Sequence, residues 1–469
     1  MCYEVRTLGS LLSFAKIYYF IKKEGIIMFT KTKRKQYEII NEVQGSRENL
    51  KLVAGVDAGS TGTRVALIDA DDYNALQADE LNKEAIMNFS HSMTIPSTFA
   101  VLDDERELLP KSEALVDNYD SHITLVRCTA TEPYIRRVRV IRAQKIKDAA
   151  GAVPRFMDSS TPKTKNYVFY VNVIDALGYA ILRKYSGDIP KSVDIVLGVS
   201  VRPNELGSIY QKILMSNLRG TYTFLWKNIK FDITISAVFA TTEPEAQIEG
   251  STSLYELQSM LMEEEAIAEN DTAVLEKSVK YKELAHMLLE PSSYIHIEGG
   301  GSSIGVEVVK ANEDGDMTVM SACSRAFNIG GNFLMRTAKD QIRETYGRTA
   351  SDESTEAALK TGLLKNGRNM DDVIGVIKTT KKKVAEAIFE KFTHEVIDVN
   401  ADLVLSDIDF IAMAGELFSE GECGVSIVDY FAELVKTVSP NTIVIRLPEN
   451  FIPQGNALRI LTQHDIFGA

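Results

Sequence analysis

The stretch Leu52-Val53-Ala54-Gly55-Val56-Asp57-Ala58-Gly59-Ser60-Thr61-Gly62-Thr63 decides how this chain is to be read. Its apolar start, Leu52 to Val56, has the length and composition of a buried strand, and Asp57 opens a glycine-bearing turn. Val65 to Asp69 reads as the antiparallel strand that follows. A P-loop or a dinucleotide-binding glycine loop opens a helix instead, and the P-loop carries a lysine that this turn lacks. A phosphate here has to be held in another way. Glycine lets backbone N–H donors approach closely, and the hydroxyls of Ser60, Thr61 and Thr63 add further donors.

About 240 residues further on the pattern recurs. The strand Tyr294–Ile297 delivers Glu298-Gly299-Gly300-Gly301-Ser302-Ser303, and Ile304–Val309 leads away from it. Two such hairpins from two domains suit the clamping of a triphosphate. An acidic residue begins each turn, Asp57 in one and Glu298 in the other. Carboxylates beside phosphates imply a divalent cation between them. Magnesium keeps several of its waters, so one or both carboxylates are expected to reach it through water. The same groups can orient an attacking water for in-line phosphoryl transfer. Glycine clusters also make plain turns, and Ala414-Gly415-Glu416 alone reads as a strand-to-helix turn. The order and spacing of the set carry the argument.

Between and beyond the hairpins, strands and helices alternate, which implies α/β layers. Residues 70–150 read as an inserted subdomain with strands at Ile123–Cys128 and Arg137–Arg142. Tyr167–Tyr185 has the apolar period of a buried helix. Val193–Val199 is a strand followed by Ser200 to Glu205. Ile233–Phe239 is another strand, ending in an acidic turn, Thr242-Glu243-Pro244-Glu245. Leu254–Leu289 reads as one or two charged helices whose Glu263 to Glu265 form a solvated face. Gly330-Gly331-Asn332 precedes a helix through Phe333 and Tyr346, and Val373–Phe392 is a further helix. Asp409–Ala414 and Ile443–Leu447 are short strands, and Asn456–Thr462 is a terminal helix.

At 469 residues the chain exceeds one ordinary core and suggests two or three compact units. Hydrophobic residues at 45% and charged residues at 25% match a soluble globular protein. A net charge of -13 argues against broad binding to a nucleic-acid backbone. The densest basic cluster is Arg136, Arg137, Arg139 and Arg142, whose plain reading is a solvated strand face or edge. No direct nucleic-acid partner is expected. Cys2, Cys128, Cys323 and Cys423 show no metal or disulfide spacing and suit a reducing, cytoplasmic compartment. Leu8–Phe20 is too short to span a bilayer, and with Glu4 before it and no cleavage site after it a signal peptide is not expected either. Met28 precedes the basic run Lys31 to Lys35, and residues 1–27 fit translation from an upstream start codon.

Taken together, these motifs resemble the superfamily of actin, sugar kinases and heat-shock chaperone ATPases. Val53–Arg64 resembles its first phosphate motif, Ile295–Gly305 the second, and Phe410–Glu416 the adenosine motif. Ile195–Val199 and the helix near Glu386 match its two connecting elements. Lys163-Thr164-Lys165-Asn166, Val193–Val199, Phe327–Phe333 and Pro448–Leu458 are similar to bacterial plasmid-segregation actins of the ParM type. The resemblance covers roughly residues 52–465.

It implies an actin-like two-domain α/β fold, each domain a mixed β-sheet flanked by helices around a central nucleotide cleft. The expected divisions are an N-terminal extension 1–50, domain I at 51–205 and 206–293, domain II at 294–440, and a segment 441–469 returning to domain I. It also implies an ATPase that polymerises head to tail with ATP and depolymerises after hydrolysis, segregating plasmid DNA through a DNA-binding adaptor protein. ATP or ADP with Mg2+ is the expected cofactor, and no membrane is involved.

By position, Asp57 lies near metal and phosphates, with Gly59, Ser60, Thr61, Gly62 and Thr63 on the phosphates. Glu245 matches a glutamate that positions the hydrolytic water, and Glu243 is the fallback. Glu298 stands where an aspartate is usual, its carboxylate displaced by about one C–C bond, roughly 1.5 Å. Gly330, Gly331 and Gly415 border the nucleoside, and Ala414 replaces a usual glycine there. Alternatives are an exopolyphosphatase-like phosphohydrolase, a small-molecule kinase of the same superfamily, and a nucleotide-gated binding protein without turnover. A heat-shock chaperone needs a further peptide-binding domain, for which the chain after the adenosine motif is too short.

Overall fold

Strand β1, Leu50–Ala58, runs into the turn at Asp57 and returns as β2, Gly62–Ile68, with Val56 opposite Val65 and Asp57 opposite Arg64. Every residue of β1 from Leu52 to Ala58 is buried. Such a run, apolar on both faces, is what a central strand requires. The computed structural model that shows this describes residues 43–467 apart from 45–48, 78–82, 103–119, 158–161, 312–316 and several breaks of one or two residues. Residues 1–42, with Leu8–Phe20, Met28 and Lys31 to Lys35, lie outside the described residues, as does Pro448.

The next strands in chain order are β3 (Met93–Pro96), β4 (Phe99–Leu102), β5 (Asp120–Thr129) and β6 (Glu132–Arg142), then β7 (Ser192–Val201), β8 (Gly220–Trp226) and β9 (Ile229–Thr242). With a short strand at Val43–Gln44 they form one ten-stranded sheet in the order β3-β2-β1-β7-β9-β8-β5-β6-β4. The segment expected as an insertion therefore contributes four strands to this sheet. Helix α1, Tyr167–Lys184, starts where the Asn166 side chain accepts from the Val168 N–H at 3.0 Å, and packs its buried face on β1 and β2.

Arg142 is fully buried, so it forms no part of a solvated basic face. Its Nε donates to Asp175 at 2.7 Å, and one terminal nitrogen donates to the Pro96 carbonyl at 2.6 Å and to Asn172 at 2.7 Å. Arg142 thereby ties β3 and β6 to α1.

The second sheet repeats the plan of the first. Strands β10 (Tyr294–Gly299) and β11 (Ile304–Ala311) form a hairpin, with Glu298 opposite Gly305. β12 (Met317–Val319) and β13 (Arg325–Phe327) pair with β11, while β14 (Phe410–Ala414) and β15 (Ile443–Arg446) follow on the other side. Thus β2-β1-β7-β9 and β11-β10-β14-β15 share one topology, a hairpin followed by two parallel strands. The duplication visible in the turns extends to the sheets.

The remaining helices refine the expected boundaries. Thr242–Glu245 is no turn. Thr242 is the N-cap of helix α2, Glu243–Glu269, with Pro244 and two glutamates in the first turn, where the missing N–H and the helix dipole favour them. The charged region is two helices, since Asn270 ends α2 in the left-handed conformation and α3 spans Thr272–Leu289. Helix α4, Gly331–Tyr346, and helix α5, Ile374–Phe392, flank the second sheet, and α6 covers Ile427–Val438.

The terminal helix α7 begins at Ile452, four residues earlier than its apolar period suggests, with Pro453 in its first turn. It lies so close to its neighbours that a Cβ at Gly455 would sit 1.7 Å from the Ala246 carbonyl oxygen of α2. A Cβ at Gly55 would sit 1.8 Å from the Pro453 carbonyl oxygen. Among the described residues no helix is long and apolar enough to cross a membrane. Cys323 and Cys423 are free thiols.

Candidate functional site

Both hairpin turns close with the same hydrogen bond. Gly59 N–H donates to the Gly62 carbonyl at 3.0 Å, and Gly300 N–H to the Ser303 carbonyl at 2.9 Å. The two tips meet. A Cβ on Gly301 would lie 2.7 Å from Thr61 Cγ2 and 3.1 Å from Ser60 Oγ. The space between them is about 70 Å³ and is lined by Asp57, Gly59, Ser60 and Thr61 from the first hairpin and by Glu298 to Ser303 from the second. Arg64, Lys163, Arg202, Glu243 and Glu416 complete its charged lining.

The first hairpin is braced from outside by Ser97. Its N–H donates to the Thr61 carbonyl at 3.0 Å and its hydroxyl to the Gly59 carbonyl at 2.6 Å. The Ser97 hydrogen being used there, the Thr63 hydroxyl must be the donor in the 2.9 Å Thr63–Ser97 contact. Thr63 is fully buried and its hydroxyl serves the turn, so it is not placed to serve a phosphate.

The second hairpin is braced by the residues expected to border a nucleoside. Gly331 N–H donates to the Gly300 carbonyl at 3.0 Å and Asn332 N–H to the Gly301 carbonyl at 2.7 Å. Gly330 sits against the Ser302–Ser303 backbone, where a Cβ would approach to 2.5 Å. Gly415, with φ +100°, lies beside Gly299, and a Cβ there would be 2.5 Å from Glu298 Oε1. Room for the longer Glu298 side chain comes from that missing Cβ. Gly62, Thr63, Gly330, Gly331, Asn332 and Gly415 are thus supports that stand behind the cleft lining.

Lys163 is the residue that reading the turns alone leaves out of the site. Its chain is held by Glu205, which accepts from the N–H groups of Lys163 and Thr164 at 3.1 Å each. Its buried ammonium pairs with Glu243 and lies 3.7 Å from Asp57. Burial acts to lower the Lys163 pKa, but Glu243 and Asp57 together raise it above the usual value, so the ammonium stays charged. Burial likewise acts to raise Glu243, and Lys163 outweighs it, holding this carboxyl below its usual range. For Asp57 burial prevails over Lys163 and Arg64, and its pKa is raised. Glu298 is raised well above the carboxylate range, first by burial and then by Glu243 and Asp57.

Of the two glutamates in the first turn of α2, the structure brings Glu243 to the cleft. Glu245 pairs with Arg459 of α7 and accepts from Thr241 Oγ1 at 2.7 Å. Residues two apart on a helix differ by about 200° in direction, so one cleft cannot receive both. The proline and glutamates were legible in the sequence, but the helical phase that separates them was not.

No protein-family model matches the chain, and no curated protein matches it. Solved structures do. An archaeal actin homolog superposes with a TM-score of 0.56 at 13% identity, covering 88% of this chain and all of that one. The chain has the actin fold. Apo pSK41 ParM matches this actin-like fold with a TM-score of 0.52 at 12% identity, covering 89% of this chain and 99% of that one. ParM in a 15-stranded filament from Clostridium botulinum matches at 0.52 and 14%, covering 88% and 100%. The expected two-domain actin-like α/β architecture is therefore observed, with the two hairpins contributed by its two sheets.

Proposed function

We propose that this chain is a nucleotide-dependent, filament-forming actin-like ATPase that polymerises with ATP, depolymerises after hydrolysis and so moves plasmid copies apart. The observation that carries this reading is the tip-to-tip meeting of two hairpins of one design, each opened by a buried carboxylate, with Lys163 and Glu243 beside them. In support, the archaeal homolog has also been solved in complex with ADP, at a TM-score of 0.51, and ParM from Clostridium botulinum forms a filament. The lobes in this reading are residues 51–293 with 447–469, and 294–446, because the expected return to the first lobe comes only after β15, which pairs with β14 in the second sheet.

The tips, Ser60–Thr61 and Gly301–Ser302, bind the phosphates through backbone N–H groups and hydroxyls. Among the described residues no group of three or more acidic, histidine or cysteine side chains could hold a metal alone. That suits magnesium, which takes few protein ligands and shares the phosphates. The partnerless, buried Oε2 of Glu298 and the carboxylate of Asp57 are the donor set that fits it, through water. Such an ion would neutralise charge on the transferring phosphate. Glu243, kept ionised by Lys163, orients the attacking water in place of Glu245. Head-to-tail contacts between copies build the filament, and an adaptor protein joins it to DNA.

Right-angle light scattering with magnesium and ATP, ADP or no nucleotide, with phosphate release followed in parallel, tests the proposal. The expected result is scattering that rises with ATP and decays as phosphate appears. Phosphate release without any scattering would remove the filament and leave a phosphohydrolase.

A further inference from the structure

The end of β9 and the first turn of α2 touch three parts of the molecule at once. Glu243 faces the cleft and Lys163. Glu245 is held by Arg459 and Thr241. Just ahead of both, Thr242 crosses to the second sheet, where its hydroxyl donates to Glu307 of β11, with Oε2 at 2.8 Å and Oε1 at 3.0 Å. The same hydroxyl oxygen accepts from the Glu245 N–H at 3.2 Å. Its one hydrogen and one lone pair are thus both engaged, and the two bonds reinforce each other. Glu307 is 2% exposed, so this contact between the sheets is shielded from water.

The hairpins sit on the same two sheets that Thr242 and Glu307 join. The cleft of about 70 Å³ falls short of the roughly 300 Å³ at which small-molecule sites begin. A nucleotide enters only if the hairpins part, and parting them strains the Thr242–Glu307 bond. We propose that Glu307 is a positioning residue: through Thr242 it locks the first turn of α2, and with it the Glu243 carboxylate, to the position of the second sheet. In this arrangement Glu243 is set for water only when the sheets are together. What this says about rate rests on the ATPase reading, whereas the mechanical link stands without it.

The link is also sensitive to pH. Burial, aided by Glu245, pushes Glu307 up to about 7, against the opposing effects of the Thr242 hydroxyl and Arg459. The other groups at this junction are Glu249 of α2, itself raised by burial, and Tyr294 and His296 of β10. Burial holds His296 neutral, its pKa down to about 3, with neither ring nitrogen partnered. Arg325 of β13 pairs with Val306 and so points to the opposite face. Since burial favours the neutral acid, an opening that wets Glu307 becomes easier as pH rises from the ordinary carboxylate value to about 7, and levels off above it.

The test compares wild type with Glu307→Gln, Glu307→Met and Thr242→Ser in the full chain. One readout is amide hydrogen exchange of Glu245 and Ala246, corrected for the intrinsic rate; the other is kcat and KM for phosphate release from pH 6 to 8. Glu307→Met keeps the Thr242 cap but removes its partner. It should speed first-turn exchange about ten-fold and lower kcat about ten-fold with KM little changed. Thr242→Ser should behave as wild type, and Glu307→Gln should flatten the pH dependence of exchange. Folded Glu307→Gln with the wild-type pH profile, or folded Glu307→Met with wild-type exchange, overturns the proposal. Should Glu307→Met not fold, the Glu307→Gln profile still decides. A wild type that releases no phosphate would end the ATPase reading, while the exchange data would judge the link separately.

Discussion

The two hairpins close with the same turn bond, yet their carboxylates live in opposite surroundings. Asp57 has Arg64 at 3.4 Å and Lys163 at 3.7 Å, cations that offset part of its burial. Among the described residues Glu298 has no ion pair, its Oε2 lacks a partner, and after burial the acids Glu243 and Asp57 act on it more strongly than the cations Arg64 and Lys163. The supports differ as well. Ser97 braces the first hairpin with side-chain and backbone donors, whereas the second leans on the bare backbone of Gly330 and Gly331. One turn chemistry therefore yields two sites. The first is an ion-paired anchor, and the second is a tightly packed acid whose charge is expensive.

The largest break in this contrast is Lys163→Met, which strips the first hairpin of its buried cation and leaves Asp57 and Glu243 facing each other. Losing one partner of a buried ion pair costs about 3–5 kcal/mol. Denaturant unfolding at pH 7.5 should show that loss, and lowering the pH to about 5 should recover part of it as the two acids take up protons. An unchanged stability would mean that Lys163 is not what keeps the first site charged.

Next in size is Gly330→Ala. Its backbone is extended, so conformation is no obstacle, but the methyl would overlap the Ser302–Ser303 backbone, which cannot swing away. A loss of about 3 kcal/mol in the same assay is expected. Gly301→Ala meets only the flexible ends of Thr61 and Ser60 and should cost about 1 kcal/mol or less. Equal losses would show that the tips are as rigid as their supports.

The smallest effect is a gain. The folded pKa of Glu298 is raised, so the unfolded chain releases its proton first as pH climbs, and the carboxyl draws stability down above its ordinary pKa. Glu298→Gln removes that titration. It should raise Tm by about 2–4 °C at pH 7.5 and by less near pH 4.5, as read by calorimetry. A fall in Tm at neutral pH would place an unseen cation beside Glu298.

Much of this was legible in order. The strands around Asp57 and Glu298, the glycines of both turns, the helix at Tyr167 and the strand ending in Gly415 follow from short apolar runs and turn residues, which act over a few positions. Less legible were the sites where distant segments meet. Arg142 belongs to an arginine-rich strand and reads as surface, yet Asp175 and Asn172 draw it fully inside. Thr63 reads as a phosphate donor, yet Ser97 claims its hydroxyl. Nothing local marks Ser97 or Glu307, because each acts on a partner many residues away.

Sequence by itself determined the duplicated hairpin, its acids and the alternation of strands and helices, since backbone geometry and hydrophobic period are local properties. Tertiary structure alone decided that Lys163 stands between Asp57 and Glu243, that Glu243 rather than Glu245 meets the cleft, and that Thr242 reaches Glu307. Those choices depend on helical phase and on which surfaces pack together, and a difference of about 200° around one helix is enough to reverse them.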